Sequence, residues 1–239
     1  MIKTLIAGNW KMNGLMASLK EVDALDKMLG ADQSHVEILI CPPATLLSAM
    51  VERTKSSPIM CGGQDCHTAP SGAHTGDISA LMMKNLGASH IIVGHSERRA
   101  DHGERNEQVK NKAEAVLDAG LMPIICVGET KAEREAGKAL SVVEEQLVGS
   151  VPQNKQSEVV IAYEPVWAIG TGLIPTLDDI GEMHQHIRKL SSAVTPILYG
   201  GSVKPGNAKD ILSIENVNGA LVGGASLKAE DFFGIISAA

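Results

Sequence analysis

Val159-Val160-Ile161-Ala162-Tyr163-Glu164-Pro165 is a short run of apolar, mostly β-branched or aromatic residues that ends on a carboxylate and a proline. So brief and uniformly apolar a segment reads as a strand buried on both faces, as in a parallel sheet covered by helices. Working outward, runs of the same kind recur at residues 4–7, 36–41, 59–61, 90–93, 122–127, 196–199 and 220–222. Helical patterns lie between them. In residues 15–29 the apolar positions Leu15, Leu19, Val22, Leu25 and Leu29 fall close to the ~3.6-residue period of a helix. Residues 106–119, 129–147 and 178–190 read the same way, the last opening on acidic residues that suit a helix N-terminus.

Eight strands alternating with helices over 239 residues give about thirty residues per unit. Alternation demands a parallel sheet with right-handed crossovers, and eight units in ~250 residues close into a (β/α)8 barrel of eight parallel strands. The expected organisation is therefore α/β, with one catalytic domain over residues 1–239. A doubly wound open sheet is the competing arrangement. Against it, no G-x-G-x-x-G follows the first strand, and no composition shift or linker marks a second domain.

Hydrophobic residues at 44% and charged residues at 21% exclude a disordered chain. A net charge of −7 argues against a general nucleic-acid binder, though not against a small anionic ligand. No run of ~18 apolar residues is present to cross a membrane, and the apolar core of residues 1–8 is too short for a signal peptide. The cytoplasm is the expected location. The four cysteines, Cys41, Cys61, Cys66 and Cys126, do not make a disulfide framework in a chain of this length. Cys61, Cys66, His67 and His74 cluster loosely, but the spacing C-x4-C-H-x6-H matches no standard zinc motif, so reduced thiols and no metal are expected.

In a barrel the chemistry sits at the C-terminal ends of the strands. Gly200-Gly201-Ser202 follows the seventh strand and Gly223-Gly224-Ala225-Ser226 the eighth. Two Gly-Gly turns, each opening a helix, present backbone N–H groups that lack intrahelical partners, and these suit a phosphate dianion. Glycines also serve tight turns alone, but two pairs on adjacent strands favour phosphate. Glu164 ends the sixth strand and should point into the barrel mouth, where partial desolvation raises its pKa toward that of a useful base. His95 precedes the helix start Ser96-Glu97, whose positive end disfavours imidazolium, so a neutral ring can donate to a carbonyl oxygen. Lys11 can stabilise the negative charge that develops. Base, electrophile, cation and phosphate cradle together describe proton transfer between adjacent carbons of an α-hydroxy carbonyl through an enediol. On the residues alone this is a cofactor-independent isomerase or aldolase-like enzyme acting on a small sugar phosphate; no standard metal or dinucleotide motif is visible.

At these same residues the chain resembles the triosephosphate isomerase family. Ala7-Gly8-Asn9-Trp10-Lys11-Met12-Asn13 is similar to its opening motif, and Gly94-His95-Ser96-Glu97-Arg98-Arg99 to its electrophile loop. The stretch from Ala162-Tyr163-Glu164-Pro165 through Gly170-Thr171-Gly172 resembles its base and lid, and the two Gly-Gly turns its phosphate loops. The resemblance covers essentially the whole chain, in order. It implies a TIM barrel that interconverts dihydroxyacetone phosphate and D-glyceraldehyde 3-phosphate in glycolysis and gluconeogenesis without a cofactor, a mechanism already established for the family. It further implies that Glu164 is the base, His95 the electrophile, and Asn9 and Lys11 the substrate-binding pair. Gly170, Ser202, Gly223 and Gly224 would hold phosphate, Glu97 would contact the lysine, and Cys126 would be a buried thiol near the base.

The lid here ends in Leu173-Ile174-Pro175 where the family often has Lys followed by two small residues. Residues 62–79 are too long for an ordinary βα loop. They resemble the family's intersubunit loop, with His74 where an aromatic is frequent. The resemblance implies a homodimer in which Thr75, beside Gly76 on this dimer loop, reaches into a pocket near Asn9, Lys11 and His95 of the other subunit. Two other functions compete on sequence alone: a same-fold isomerase of a tetrulose phosphate, and a non-catalytic phosphate-binding barrel. The second should have lost Glu164, His95 or Lys11, and all three are present.

Overall fold

The protein is described by a computed structural model covering residues 2–30, 35–169 and 175–239. Strands β1 (Thr4–Asn9), β2 (Val36–Cys41), β3 (Ile59–Gly63), β4 (His90–Val93), β5 (Met122–Val127), β6 (Val160–Tyr163), β7 (Ile197–Tyr199) and β8 (Gly219–Val222) pair in chain order, and β8 returns to β1 to close a barrel. Every pairing is parallel. The helices are α1 (Lys20–Leu29), α2 (Ala44–Thr54), α3 (Ala80–Leu86), α4 (Ser96–His102), α5 (Asn106–Asp118), α6 (Lys131–Glu135), α7 (Ala139–Ser150), α8 (Leu177–Leu190), α9 (Pro205–Leu212) and α10 (Ala229–Ile236).

The near-continuous apolar runs are explained by two separate cores. Alternate side chains along a strand point to opposite faces. Leu5, Ala7, Leu39, Cys41, Ile92, Ile124, Cys126, Val160, Ala162, Leu198 and Leu221 fill the barrel interior. Their neighbours Ile6, Ile38, Ile40, Val93, Ile125, Ile161 and Ile197 face outward, into the layer shared with helical residues such as Leu19, Val22 and Leu25. Both faces are dry, so their side chains are apolar at almost every position.

Several expected boundaries move: the α-helix expected over residues 15–29 begins only at Lys20, and β3 runs on to Gly63. β1 continues past its apolar stretch, with Gly8 paired to Ile40 and Asn9 to Cys41, so the ladder itself carries Asn9 to the barrel mouth. The single helix expected over residues 129–147 is broken into α6 and α7 at Gly137, whose φ of 70° leaves the helical region.

Burial also gives the fold a pH dependence. His90 on β4 and His184 on α8 are both buried, and burial pushes each imidazole down from 6.5 to about 4. Above pH 6.5 both rings are neutral in the folded and the unfolded chain. As pH falls toward 4 only the unfolded chain takes up the protons, so stability is lost across that window, by up to roughly 3 kcal/mol per histidine. His184→Gln should therefore flatten the fall in urea midpoint between pH 7 and pH 5 at fixed protein concentration; an unchanged slope would show that His184 does not carry it.

Candidate active site

The strands deliver their polar ends to one cleft of about 330 Å³, lined by Asn9, Lys11, His95, Glu164, Ser202, Gly223 and Gly224 among others. Glu164 directly follows β6, where its own N–H donates to the Val127 carbonyl at 2.7 Å. Two glycines allow it to sit there. A Cβ on Gly128 would lie 1.7 Å from the Glu164 carbonyl oxygen, and one on Gly200 would lie 2.9 Å from its Cγ. The Glu164 backbone is thus held close against Gly128 on one side, and its side chain passes close over Gly200 on the other.

His95 caps α4. Its Nδ1 accepts from the Glu97 N–H at 3.2 Å, which leaves Nε2 as the donor, 2.8 Å from Glu164 Oε1. The other carboxylate oxygen of Glu164 accepts from the Ser96 N–H at 3.0 Å. Lys11 lies opposite, with Nζ 2.6 Å from Glu97 Oε1. Its backbone is left-handed, φ 52°, a conformation that costs a lysine roughly 1–3 kcal/mol. Two side chains hold it there: Asn9 Oδ1 accepts from the Lys11 N–H at 3.0 Å, and Gln64 Nε2 donates to the Lys11 carbonyl at 2.9 Å. Strain at a cationic residue in a cleft marks a position kept for its side chain.

The electrostatics reverse two expectations. Burial pushes Glu164 up, but the His95 imidazole, the Ser96 N–H and Lys11 outweigh it and hold the carboxyl below its usual range. Burial likewise pushes His95 down, but the Glu164 carboxylate in contact with it leaves the imidazole raised. In both cases the cause is one hydrogen-bonded pair that sequence order does not reveal.

Cys126 lies fully buried inside the barrel, and burial followed by the nearby Glu164 charge pushes its thiol well above the ordinary value. It is a protonated packing residue and no nucleophile. The two Gly-Gly turns, expected each to open a helix, are built differently from that expectation. Gly224 does open a short 3-10 turn, Gly224–Leu227, but α9 begins at Pro205, after Val203 and Lys204 have intervened behind the Gly200-Gly201 pair. Ser202 Oγ donates to the Ala168 carbonyl at 3.0 Å, tying this loop to the 3-10 turn Val166–Ala168 after β6. Gly170, Leu173 and Ile174 lie outside the described residues. Thr75 and Gly76 are not in the cleft; they are exposed on the loop after β3.

With this geometry in place, comparison with known proteins decides the family. A sequence model described as triosephosphate isomerase matches residues 4–239. The chain belongs to the triosephosphate isomerase family. A relative named triosephosphate isomerase from Jannaschia sp. (strain CCS1) is 57% identical, covering 100% of this chain and 98% of its own. Another of that name from Ruegeria pomeroyi is 56% identical with the same coverage. The crystal structure of triosephosphate isomerase from Bartonella henselae superposes with a TM-score of 0.92 at 46% identity, covering 99% of both chains.

Several residues of this isomerase's site escaped the sequence reading. Gln64 and the Ser96 N–H are two of them. Another is the buried carboxylate Glu129, whose Oε1 accepts from Trp167 Nε1 at 2.8 Å, Arg134 Nε at 2.8 Å and Tyr163 OH at 3.2 Å. It ties the 3-10 turn Val166–Ala168 after β6 to the end of β5. The only sequence signal for it is its place directly after Gly128 at the end of β5.

Proposed function

We propose that Glu164, His95 and Lys11 carry out in this chain the reaction of its family. The enzyme interconverts dihydroxyacetone phosphate and D-glyceraldehyde 3-phosphate, and neither the tetrulose phosphate alternative nor the non-catalytic barrel is favoured. The observation that carries the assignment of roles is the Glu164–His95 contact at 2.8 Å inside a cleft that also contains Lys11 and both Gly-Gly turns.

The chemistry follows from what each group loses when substrate enters. A carbonyl oxygen that takes the place of Glu164 at His95 Nε2 receives the ring's hydrogen bond. Glu164, released from His95, keeps its burial but loses its main counter-charge, so its basicity rises when a proton must be taken. The carboxylate removes a proton from the carbon beside the carbonyl, and the electron pair moves to the carbonyl oxygen. His95 stabilises that oxygen by donating from Nε2, and Lys11 offsets the developing charge. His95 gives its Nε2 proton to that oxygen and takes one from the neighbouring hydroxyl, and returning the first proton to the former carbonyl carbon completes the isomerisation. Asn9 keeps Lys11 in its strained conformation, Glu97 fixes its Nζ, and Ser202, Gly170, Gly223 and Gly224 hold the phosphate. A steady-state assay coupled to a dehydrogenase, run on the wild type and on Glu164→Ala, tests the roles. Loss of turnover with substrate still bound supports them, and retained turnover overturns them.

The working form is a homodimer on this reading. Met12 is 96% exposed, Leu15 77% and Met16 60%, and Leu81 and Met82 are also more than half exposed. Met12 and Ile78 border a second cleft, of about 540 Å³, beside Lys11. Large apolar side chains left exposed after β1, on the loop after β3 and at the start of α3 suit a partner surface. The loop of residues 62–79 fits that role, because a second subunit would compensate the cost of ordering it. Thr75→Arg should shift the protein toward monomer in light scattering and lower kcat in parallel; a monomeric parent, or a monomeric variant of full activity, would contradict this. Gly76→Glu is the less clean variant, since φ there is 96° and any side chain is strained. Four unpaired, buried cysteines fit a reducing cytoplasm, and no helix among the described residues is long and apolar enough to cross a membrane. The closed ring of strands from Thr4 to Val222 supports reading residues 1–239 as one catalytic domain.

A further inference from the structure

The ladder between β4 and β5 stops short of the site, and its last pair is Val93 with Ile125. Beyond that pair the two strands part. The chain turns away from β4 at Gly94, where φ is 67°, while β5 runs on through Cys126 and Val127. Each side of the resulting gap carries a reacting group. His95 directly follows Gly94, and the Val127 carbonyl accepts from the Glu164 N–H at 2.7 Å.

The side chain of Arg99, on α4, fills the gap. Its Nε donates to the Gly94 carbonyl at 2.9 Å and its Nη2 to the Cys126 carbonyl at 3.3 Å. Nη2 also donates to Ser150 Oγ on α7 at 3.1 Å, and Nη1 to Asn106 Oδ1 on α5 at 2.8 Å. Ser150 Oγ donates in turn to Asn106 Oδ1 at 3.3 Å, so the two helical acceptors brace each other. All four of these acceptors are neutral. A partly buried cation held by neutral groups costs desolvation, and burial pushes the Arg99 pKa below its ordinary value. What the guanidinium contributes is shape, a rigid planar fork that reaches in three directions, as a lysine cannot. The packing around it is tight: a Cβ on Gly94 would lie 2.6 Å from Val109 Cγ1 and 3.2 Å from Arg99 Nη2.

We propose that Arg99 is a positioning residue for the isomerisation: by bridging the Gly94 and Cys126 carbonyls it stands in for the missing ladder and sets the His95 imidazole against the Glu164 carboxylate. The inference rests on the roles proposed above for those two residues. Arg99 acts through them, on the backbone that carries each. Without the fork the Gly94 peptide is free to turn, and His95 Nε2 leaves the line to the oxygen that gains charge. The groups that hold substrate, Asn9, Lys11 and the Gly-Gly turns, are not bonded to Arg99 and keep their places. A further cleft of about 250 Å³ is lined by Arg99, Ala100, Thr130 and Gln146 among others. Ala100 and Thr130 are exposed, so a small cation can enter there from solvent once the arginine side chain is removed.

Steady-state kinetics of the full-length enzyme test this separately from the catalytic roles, because Glu164→Ala reports those roles in the same assay. Arg99→Ala should lower kcat by roughly 10–100-fold, as a remote change does when it misplaces a reacting group, with KM within about threefold of wild type. Guanidinium chloride at about 20 mM, well below denaturing concentration, should restore part of the lost kcat by occupying the vacated place. The same concentration of methylammonium chloride carries the charge without the fork and should restore none. Arg99→Lys should stay near the alanine value for the same reason. If the alanine variant does not fold, Arg99→Lys decides alone: lowered kcat at unchanged KM supports the proposal, and wild-type kcat overturns it. With a folded alanine variant, wild-type kcat and KM beside a lowered Tm would make Arg99 purely structural and overturn the proposal. A loss confined to KM, failure of guanidinium to restore activity, or equal rescue by methylammonium would overturn it as well.

Discussion

Glu164→Asp lowers kcat by about 10²–10³-fold with KM nearly unchanged. The charge is kept and the reach is shortened by one methylene. In many proteins a small backbone shift would recover the distance, but here it cannot. The Glu164 N–H is bonded to the Val127 carbonyl at 2.7 Å, its own carbonyl lies close against Gly128, and the preceding Tyr163 carbonyl accepts from the Gly200 N–H at 2.7 Å. The carboxylate therefore stays about 1 Å short of the carbon-bound proton, a displacement of the size that costs ~10² in rate. Substrate binding rests on other groups, Asn9, Lys11 and the Gly-Gly turns, which explains the unchanged KM. The coupled assay reads both constants, and near-normal kcat would assign the base to another residue.

His95→Ala produces a loss of similar size, about 10²–10³ in kcat, because the oxygen that gains charge loses its donor. It carries a second signature that a merely structural defect would not. His95 is the largest of the influences that hold the Glu164 pKa below its usual range against the opposing pull of burial. Without the ring, burial prevails and the pKa of Glu164 rises. The base works only when deprotonated, so the acid limb of the kcat/KM profile moves to higher pH in the variant. A pH–rate profile measured beside a circular dichroism check of folding reads both effects. An unchanged rate points to a different electrophile, and an unmoved acid limb means that His95 does not set the charge of Glu164.

The barrel was legible because its physics is local. A strand dry on both faces must be apolar at every position, so runs such as residues 122–127 stand out, and the first polar residues after them fall at the barrel mouth. Glu164, His95 and Lys11 were found in that way. Interactions through space were not legible. The Ser96 N–H meets Glu164 across 68 positions of chain, and Trp167 meets Glu129 across 38. The direction of both pKa shifts follows from such a pairing. Gln64 was hidden for the same reason, as its partner Lys11 is 53 residues away. The break between α6 and α7 came from a single left-handed glycine inside a sequence whose apolar period runs on unbroken.

The central claim is that the proton moves between adjacent carbons through the Glu164 carboxylate and an enediolate. Isomerisation of dihydroxyacetone phosphate in D2O tests it most directly, with each D-glyceraldehyde 3-phosphate molecule oxidised as it forms so that it is read after one turnover. A carboxylic acid exchanges its proton with solvent during the life of the enediolate, so deuterium should appear at C2 of the trapped product, as read by NMR. Product that forms at the normal rate with no deuterium at C2 would mean that hydrogen crosses directly between the carbons, and would contradict the account.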